Sequence, residues 1–201
     1  MTTIGADQVK QLRDMTGAGM MECKAALLEA NGNMEEAITL LRKRGLAQAA
    51  KRAGRATAQG LIGSYIHMGG RIGVLVEVNC ESDFVARTEP FQILVKEVAM
   101  HIAAANPKWV RREDVSPEAI ANEKNIYQAQ MEGSGKPAHV LDKIIDGKLG
   151  GFYSQFVLLD QPSIRDPNVT VAQLVAETSA KTGENITISR FARYRVGEGS
   201  D

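Results

Sequence analysis

Ile72-Gly73-Val74-Leu75-Val76-Glu77-Val78-Asn79-Cys80-Glu81-Ser82-Asp83-Phe84-Val85-Ala86-Arg87 is the stretch from which the rest of the chain can be placed. Ile72, Val74, Val76 and Val78 alternate with Gly73, Leu75, Glu77 and Asn79, the period-two pattern of a half-buried strand. Further on, Phe91, Leu94, Val95, Val98 and Ile102 recur at the i, i+3, i+4 spacing of an amphipathic helix. Asn79 to Arg87 is therefore a strand-to-helix connection with a packed element at each end. A large apolar ring, Phe84, stands in it directly after an acid, Asp83. Connections run over the surface. The ring either tucks back into the core, as large aromatics commonly do, or projects as an anchor for a partner's pocket. The residues by themselves leave both readings open.

Upstream of this stretch, Gly60 to His67 also has a period of two, and Gly69-Gly70 suits a two-residue hairpin turn into the antiparallel return from Arg71 to Asn79. Downstream, Thr88 can cap the helix over Phe91–Ile102, with Glu89 and Pro90 in its first turn. Another helix starts near Ser116-Pro117 and is broken at Gly133-Ser134-Gly135-Lys136-Pro137. Val140, Leu141, Ile144, Ile145, Phe152, Phe156 and Leu159 keep helical spacing, with an expected interruption at Gly150-Gly151. Thr170-Val171-Ala172-Gln173 resembles a capping box for a helix ending at Gly183, and Asn185 to Val196 closes the chain as a strand. Two strands, a run of helices and one more strand point to an α+β layer, not an alternating parallel sheet.

The N-terminal region has a different character. Three short helices are expected between residues 5 and about 45. The first, with Val9 and Leu12 inward, gives out at Thr16-Gly17-Ala18-Gly19. The second runs from Met20 to a stop at Asn31-Gly32. The third is capped by Asn33 and expected to end at Gly45. A small three-helix bundle of this size buries little surface. Arg42, Lys43, Arg44, Lys51, Arg52 and Arg55 then follow with no acid among them, a plausible basic helical linker. The expected organisation is a bundle over 1–45, a linker over 46–58, an α+β core over 59–196 and a tail over 197–201.

With 201 residues, the chain can bury a real core in one domain or two small ones. Lys plus Arg and Asp plus Glu are 24 each, whereas a dedicated phosphate-neutralising protein carries a basic excess. Direct nucleic-acid binding is therefore not expected. Cys23 and Cys80 define no disulfide framework. The first residues lack a signal-peptide layout, and no run approaches the roughly 18 apolar residues of a membrane span. The expected setting is a reduced cytoplasm, with no membrane partner.

Catalytic signatures fail one by one. Gly133-Ser134-Gly135-Lys136 evokes a phosphate loop, but Gln130 stands where the first glycine is needed and Pro137 where the magnesium-binding hydroxyl belongs. Asp83-Phe84-Val85 is not a kinase Asp-Phe-Gly triplet. His67, His101 and His139 share no metal-ligand spacing with either cysteine. The expectation is a binding protein with no cofactor, no metal and no covalent chemistry of its own.

Three segments resemble signatures of the bacterial translation elongation factor Ts family. They are Thr16-Gly17-Ala18-Gly19-Met20-Met21-Glu22-Cys23-Lys24-Ala25-Ala26-Leu27, Glu77-Val78-Asn79-Cys80-Glu81-Ser82-Asp83-Phe84-Val85-Ala86, and Lys181-Thr182-Gly183-Glu184-Asn185-Ile186-Thr187. They span nearly the whole chain in the family's order. The resemblance implies a ubiquitin-associated-like (UBA-like) bundle, a basic linker and a core with a three-stranded antiparallel sheet. It also implies guanine-nucleotide exchange on the GTPase elongation factor Tu during protein synthesis. By that resemblance Ser82, Asp83, Phe84 and Val85 enter the partner near its magnesium site, with Phe84 as the wedge. Arg13, Met20, Met21 and Lys24 grip the same partner domain.

Methionines suit irregular surfaces, which favours Met20 and Met21 as contacts; the alternative places them in the bundle core, although adjacent helical residues cannot both face inward well. Ser82 stands where the family usually has threonine, which keeps the hydroxyl. The chain carries one core half where long members carry two, so a homodimer is expected. The alternative function is an RNA- or ribosome-binding accessory protein acting through Arg42–Arg55, with affinity falling steeply with salt.

Overall fold

The computed structural model describes residues 4–131 and 137–199, apart from the side chains of 138 and 139. The Gly133–Lys136 segment and the His139 side chain singled out above lie outside the described residues. Three strands, β1 (Gln59–Ile66), β2 (Ile72–Cys80) and β3 (Ile186–Arg195), form one sheet in the order β1-β2-β3. The described helices are α1 (Ala6–Thr16), α2 (Met20–Glu29), α3 (Met34–Arg52), the single turn α4 (Asp83–Ala86), α5 (Glu89–Ala105), α6 (Pro117–Ala129), α7 (Ala138–Phe156) and α8 (Val171–Thr182). The α+β class follows directly.

The chain forms two compact units. The first takes the residues up to Leu61 with Val78–Leu94 and Gln173–Thr187. The second takes Ile62–Glu77, Val95–Ala172 and the residues from Ile188 onward.

In the first unit, α1, α2 and α3 close on a core of Val9, Leu12, Cys23, Ala26, Leu27, Ala30, Ala37 and Leu41. Gly17 leaves α1 in the left-handed region (φ 70°), and its N–H donates to the Arg13 carbonyl. Asn33 caps α3 by accepting the Glu36 N–H at 3.2 Å. The third helix does not stop at Gly45. It runs on to Arg52, so the basic stretch is largely the C-terminal half of α3 and not a separate linker helix up to that point. A Cβ on Gly45 would stand 3.0 Å from the Ala180 Cβ. The glycine lets α8 approach, and its weak helix propensity, about 1 kcal/mol against alanine, is overridden by packing.

In the second unit, Phe152 lies at the centre of an aromatic group. Its ring centroid is 5.9 Å from Trp109, 5.7 Å from Tyr153 and 5.2 Å from Phe156. The expected interruption at Gly150-Gly151 does not occur: α7 continues to Phe156. No neighbour stands within 4 Å of a Cβ built at either glycine, so nothing there displaces the backbone from its helical path. The hairpin also differs from the expectation. The His67 N–H donates to the Ile72 carbonyl at 2.9 Å, so four residues, 68–71, lie between this bonded pair, and Gly69 and Gly70 both take positive φ. The Val196 N–H meets the Arg71 carbonyl, and Arg190 pairs with Glu77. This antiparallel register places Ile62, Ile66, Leu75 and Tyr194 on one sheet face, all of them exposed. Val74 and Val76 point the other way and are buried.

Candidate functional site

Strand β2 delivers the chain to Ser82, which caps the one-turn α4. The Ser82 hydroxyl accepts the Val85 N–H at 3.4 Å, and the Thr88 hydroxyl donates to the Val85 carbonyl at 2.7 Å. Val85 and Ala86 are buried, whereas Phe84, on the same turn, is 77% exposed. The structure thus resolves the choice left open by the sequence: Phe84 projects and Val85 is the core residue. A turn with two buried residues and a hydroxyl clasp at each end presents the ring from a fixed base.

Asp83, beside it, is already engaged. Its carboxylate accepts from the Arg87 guanidinium at 2.7 Å, one helical turn on. The i, i+4 spacing of these two charges is a signal already present in the sequence.

The loop is held from far along the chain. Glu184 accepts the N–H groups of Glu81 and Ser82, each at 3.0 Å, and the Ser82 hydroxyl proton at 2.5 Å. Glu81 in turn accepts the Asn185 N–H at 2.7 Å. The Asn185 side-chain amide donates to the carbonyls of Arg55 and Ala53 at 2.8 and 3.4 Å. Glu184 and Asn185 fall within one of the three segments quoted above, yet no local pattern marks them as partners of the loop. Periodicity reports on elements, not on which side chains meet across a hundred residues. The Cys80 thiol, buried beneath the loop, donates to the Ser82 carbonyl at 3.1 Å. Burial pushes its pKa up, and the Glu184 charge adds to this.

In the bundle of the same unit, Arg13, Met20, Met21 and Lys24 are all exposed. Helix α2 buries Cys23, Ala26 and Leu27, so the methionines lie outside that core, Met21 at 77% exposure and Met20 at 44%. The basic stretch is less free than its sequence suggests. Arg42 pairs with Glu177, Arg44 with Glu29 and Arg55 with Glu81. Arg52 donates to the Ser179 carbonyl and to Gln48. Four of the six cations thus spend their hydrogen bonds internally, which weakens the case for a phosphate-binding strip.

Among the described residues, no three His, Cys, Asp or Glu side chains are grouped to hold a metal ion, and no helix is long and apolar enough to cross a membrane.

Fold and loop together define a small α+β protein that presents an aromatic tip from a braced strand-to-helix turn. Its family is specific: the family described as Elongation factor TS matches residues 2–198. An elongation factor Ts of Caldanaerobacter subterraneus is 59% identical over 196 residues, covering 98% of each chain. One from Solibacter usitatus is 57% identical over 203 residues, covering 100% of this chain and 96% of the relative. Another, from Koribacter versatilis, is 57% identical over 195 residues, covering 97% and 89%. The chain belongs to the elongation factor Ts family, and its role lies in the elongation stage of protein synthesis.

Proposed function

We propose that this chain is a guanine-nucleotide exchange factor for the GTPase elongation factor Tu. The observation that carries the reading is Phe84, an apolar ring held in solvent on a turn whose next two residues, Val85 and Ala86, are buried. Exposing so much apolar surface opposes the hydrophobic effect, and a pocket in a partner offsets it. Phe84 inserts between elements of the GTPase that hold magnesium, with Ser82, Asp83 and Val85 shaping the loop around it. Displacing magnesium removes the largest local positive charge opposing the phosphates, so GDP leaves faster. Arg13, Met20, Met21 and Lys24 supply a second grip through the UBA-like bundle. The chain itself makes and breaks no covalent bond and needs no cofactor.

Linkage makes the process reversible. Whatever factor weakens GDP in the complex also weakens this chain in the presence of GDP, so nucleotide rebinding ejects it.

A second copy of the chain completes the active species. The four exposed apolar side chains Ile62, Ile66, Leu75 and Tyr194 on one sheet face, beside the Arg190–Glu77 pair, favour pairing, because grouped apolar side chains rimmed by polar ones mark interaction surfaces. The expected setting is the cytoplasm, where the translation machinery operates.

The test is the release of fluorescent GDP from purified elongation factor Tu in excess magnesium and unlabelled GDP. Acceleration by substoichiometric amounts of this chain is the expected result, and an unchanged release rate contradicts the proposal.

A further inference from the structure

Glu184 is 102 positions from Ser82 in sequence, yet it carries the loop's geometry. One carboxylate oxygen takes two consecutive backbone N–H groups, those of Glu81 and Ser82, and the other takes the Ser82 hydroxyl proton. Because that proton is committed to Glu184, an oxygen lone pair of Ser82 faces the Val85 N–H and caps α4. The anchor is itself fixed. Gly183 turns out of α8 at φ 78°, its N–H donates to the Ser179 carbonyl at 2.9 Å, and the Ser179 hydroxyl donates to the Glu184 carbonyl. The bracing is reciprocal: Glu184 holds the Glu81 N–H while the Glu81 carboxylate holds the Asn185 N–H.

Charge-assisted bonds of this kind are roughly twice as strong as neutral ones. Phe84 is mostly exposed and has little packing of its own to hold it, so its direction follows the turn beneath it.

We propose that Glu184 is a positioning residue for the exchange loop, fixing through Ser82 the turn from which Phe84 projects; this rests on the exchange reading above. A glutamine in its place cannot reproduce the arrangement. If its carbonyl oxygen takes the two backbone N–H groups, its NH2 faces the Ser82 oxygen as a second donor, and the Ser82 hydroxyl proton loses the acceptor that fixes it. The Ser82 hydroxyl is then no longer held in one orientation, its cap on the Val85 N–H loosens, and Phe84 points in several directions instead of one.

The experiment measures GDP release from elongation factor Tu across a concentration series of the full chain: wild type, Glu184→Gln, Phe84→Ala and the double variant, with thermal unfolding of each. Glu184→Gln is expected to lower the maximal release rate about tenfold, as small misplacements of a reacting geometry do. The half-saturating concentration should change less, because the bundle residues still grip. In the Phe84→Ala background the same substitution should cost little more, since the ring it would misplace is already gone.

A wild-type maximal rate in folded Glu184→Gln overturns the proposal. So does a loss that adds in full to that of Phe84→Ala, which would mark a general structural role. Should Glu184→Gln fail to fold, Glu184→Asp, which keeps the charge but withdraws it by one methylene, is read by the same two criteria. Failure of the wild-type chain to accelerate release overturns the exchange reading itself, whereas normal wild-type acceleration with an unaffected Glu184→Gln overturns only the role of Glu184.

Discussion

Phe84 and Val85 are adjacent on a single helical turn and have opposite surroundings, 77% and 8% exposed. The pair separates what holds the loop from what the loop offers. Truncating Val85 to alanine removes two buried methyl groups and should cost about 2 kcal/mol of stability. Phe84→Ala removes more carbon but from solvent, and should change stability by less than about 0.5 kcal/mol. Denaturant unfolding of the two variants checks the contrast, and a large loss for Phe84→Ala would return the ring to the core.

Gly60 lies where β1 meets β2 in the first unit. Its φ of 151° and the approach of Val78 leave no space: an added Cβ would stand 2.2 Å from the Val78 carbonyl oxygen. That neighbour is backbone and cannot rotate away. Gly60→Ala should therefore lower stability by at least about 2 kcal/mol, through strain and lost strand pairing. A melting temperature equal to wild type would contradict this close approach.

His101 is buried in the second unit, with one ring nitrogen 2.9 Å from the Gln161 side-chain oxygen and the other, Nδ1, without a partner. The Gln161 amide spends its protons on the carbonyls of Ala105 and Gln155, so its oxygen accepts and His101 donates through Nε2. Burial pushes the His101 pKa below its ordinary 6.5, and the Gln161 bond only partly opposes this. On acidification the unfolded chain takes up this proton first. Stability should therefore fall as pH drops below about 6.5 and level off, for this group, below the depressed folded pKa. Thermal unfolding between pH 7.5 and pH 5 should show a shallower decline for His101→Gln than for wild type. Parallel declines would exclude His101 as the source.

The face formed by Ile62, Ile66, Leu75 and Tyr194 is the surface assigned above to a second copy. Leu75→Glu places a charge at its centre. Sedimentation equilibrium should show wild type as a dimer and this variant as a monomer, with the unfolding of each chain otherwise cooperative. A monomeric wild type would remove pairing from the proposal without touching the role of Phe84.

Much of the fold follows from local pattern. The alternation through Val74, Val76 and Val78 and the Phe91–Ile102 spacing identify β2 and α5, and Asn33 and Ser116 mark helix starts where the caps are found. The misreadings come from glycines. Gly45, Gly150 and Gly151 look like helix breaks, but a single glycine costs only about 1 kcal/mol, and continuing helices on both sides outweigh it. The loop is legible as a connection but not as a braced platform. The Asp83–Arg87 pair lies within reach of a spacing rule, while the bonds from Glu184 to Ser82 join residues with no local relation. Whether Phe84 faces inward or outward is equally invisible to spacing, because it depends on Val85 having taken the buried position.

Under the proposed function, an exposed ring on a fixed turn drives nucleotide exchange. The most direct test is the maximal rate of GDP release from elongation factor Tu with wild type, Phe84→Leu and Phe84→Ala, each shown to be folded. Strong acceleration by wild type, partial acceleration by leucine and a fall of at least about tenfold for alanine are expected, the scale on which a central anchor acts. Full acceleration by folded Phe84→Ala would contradict it.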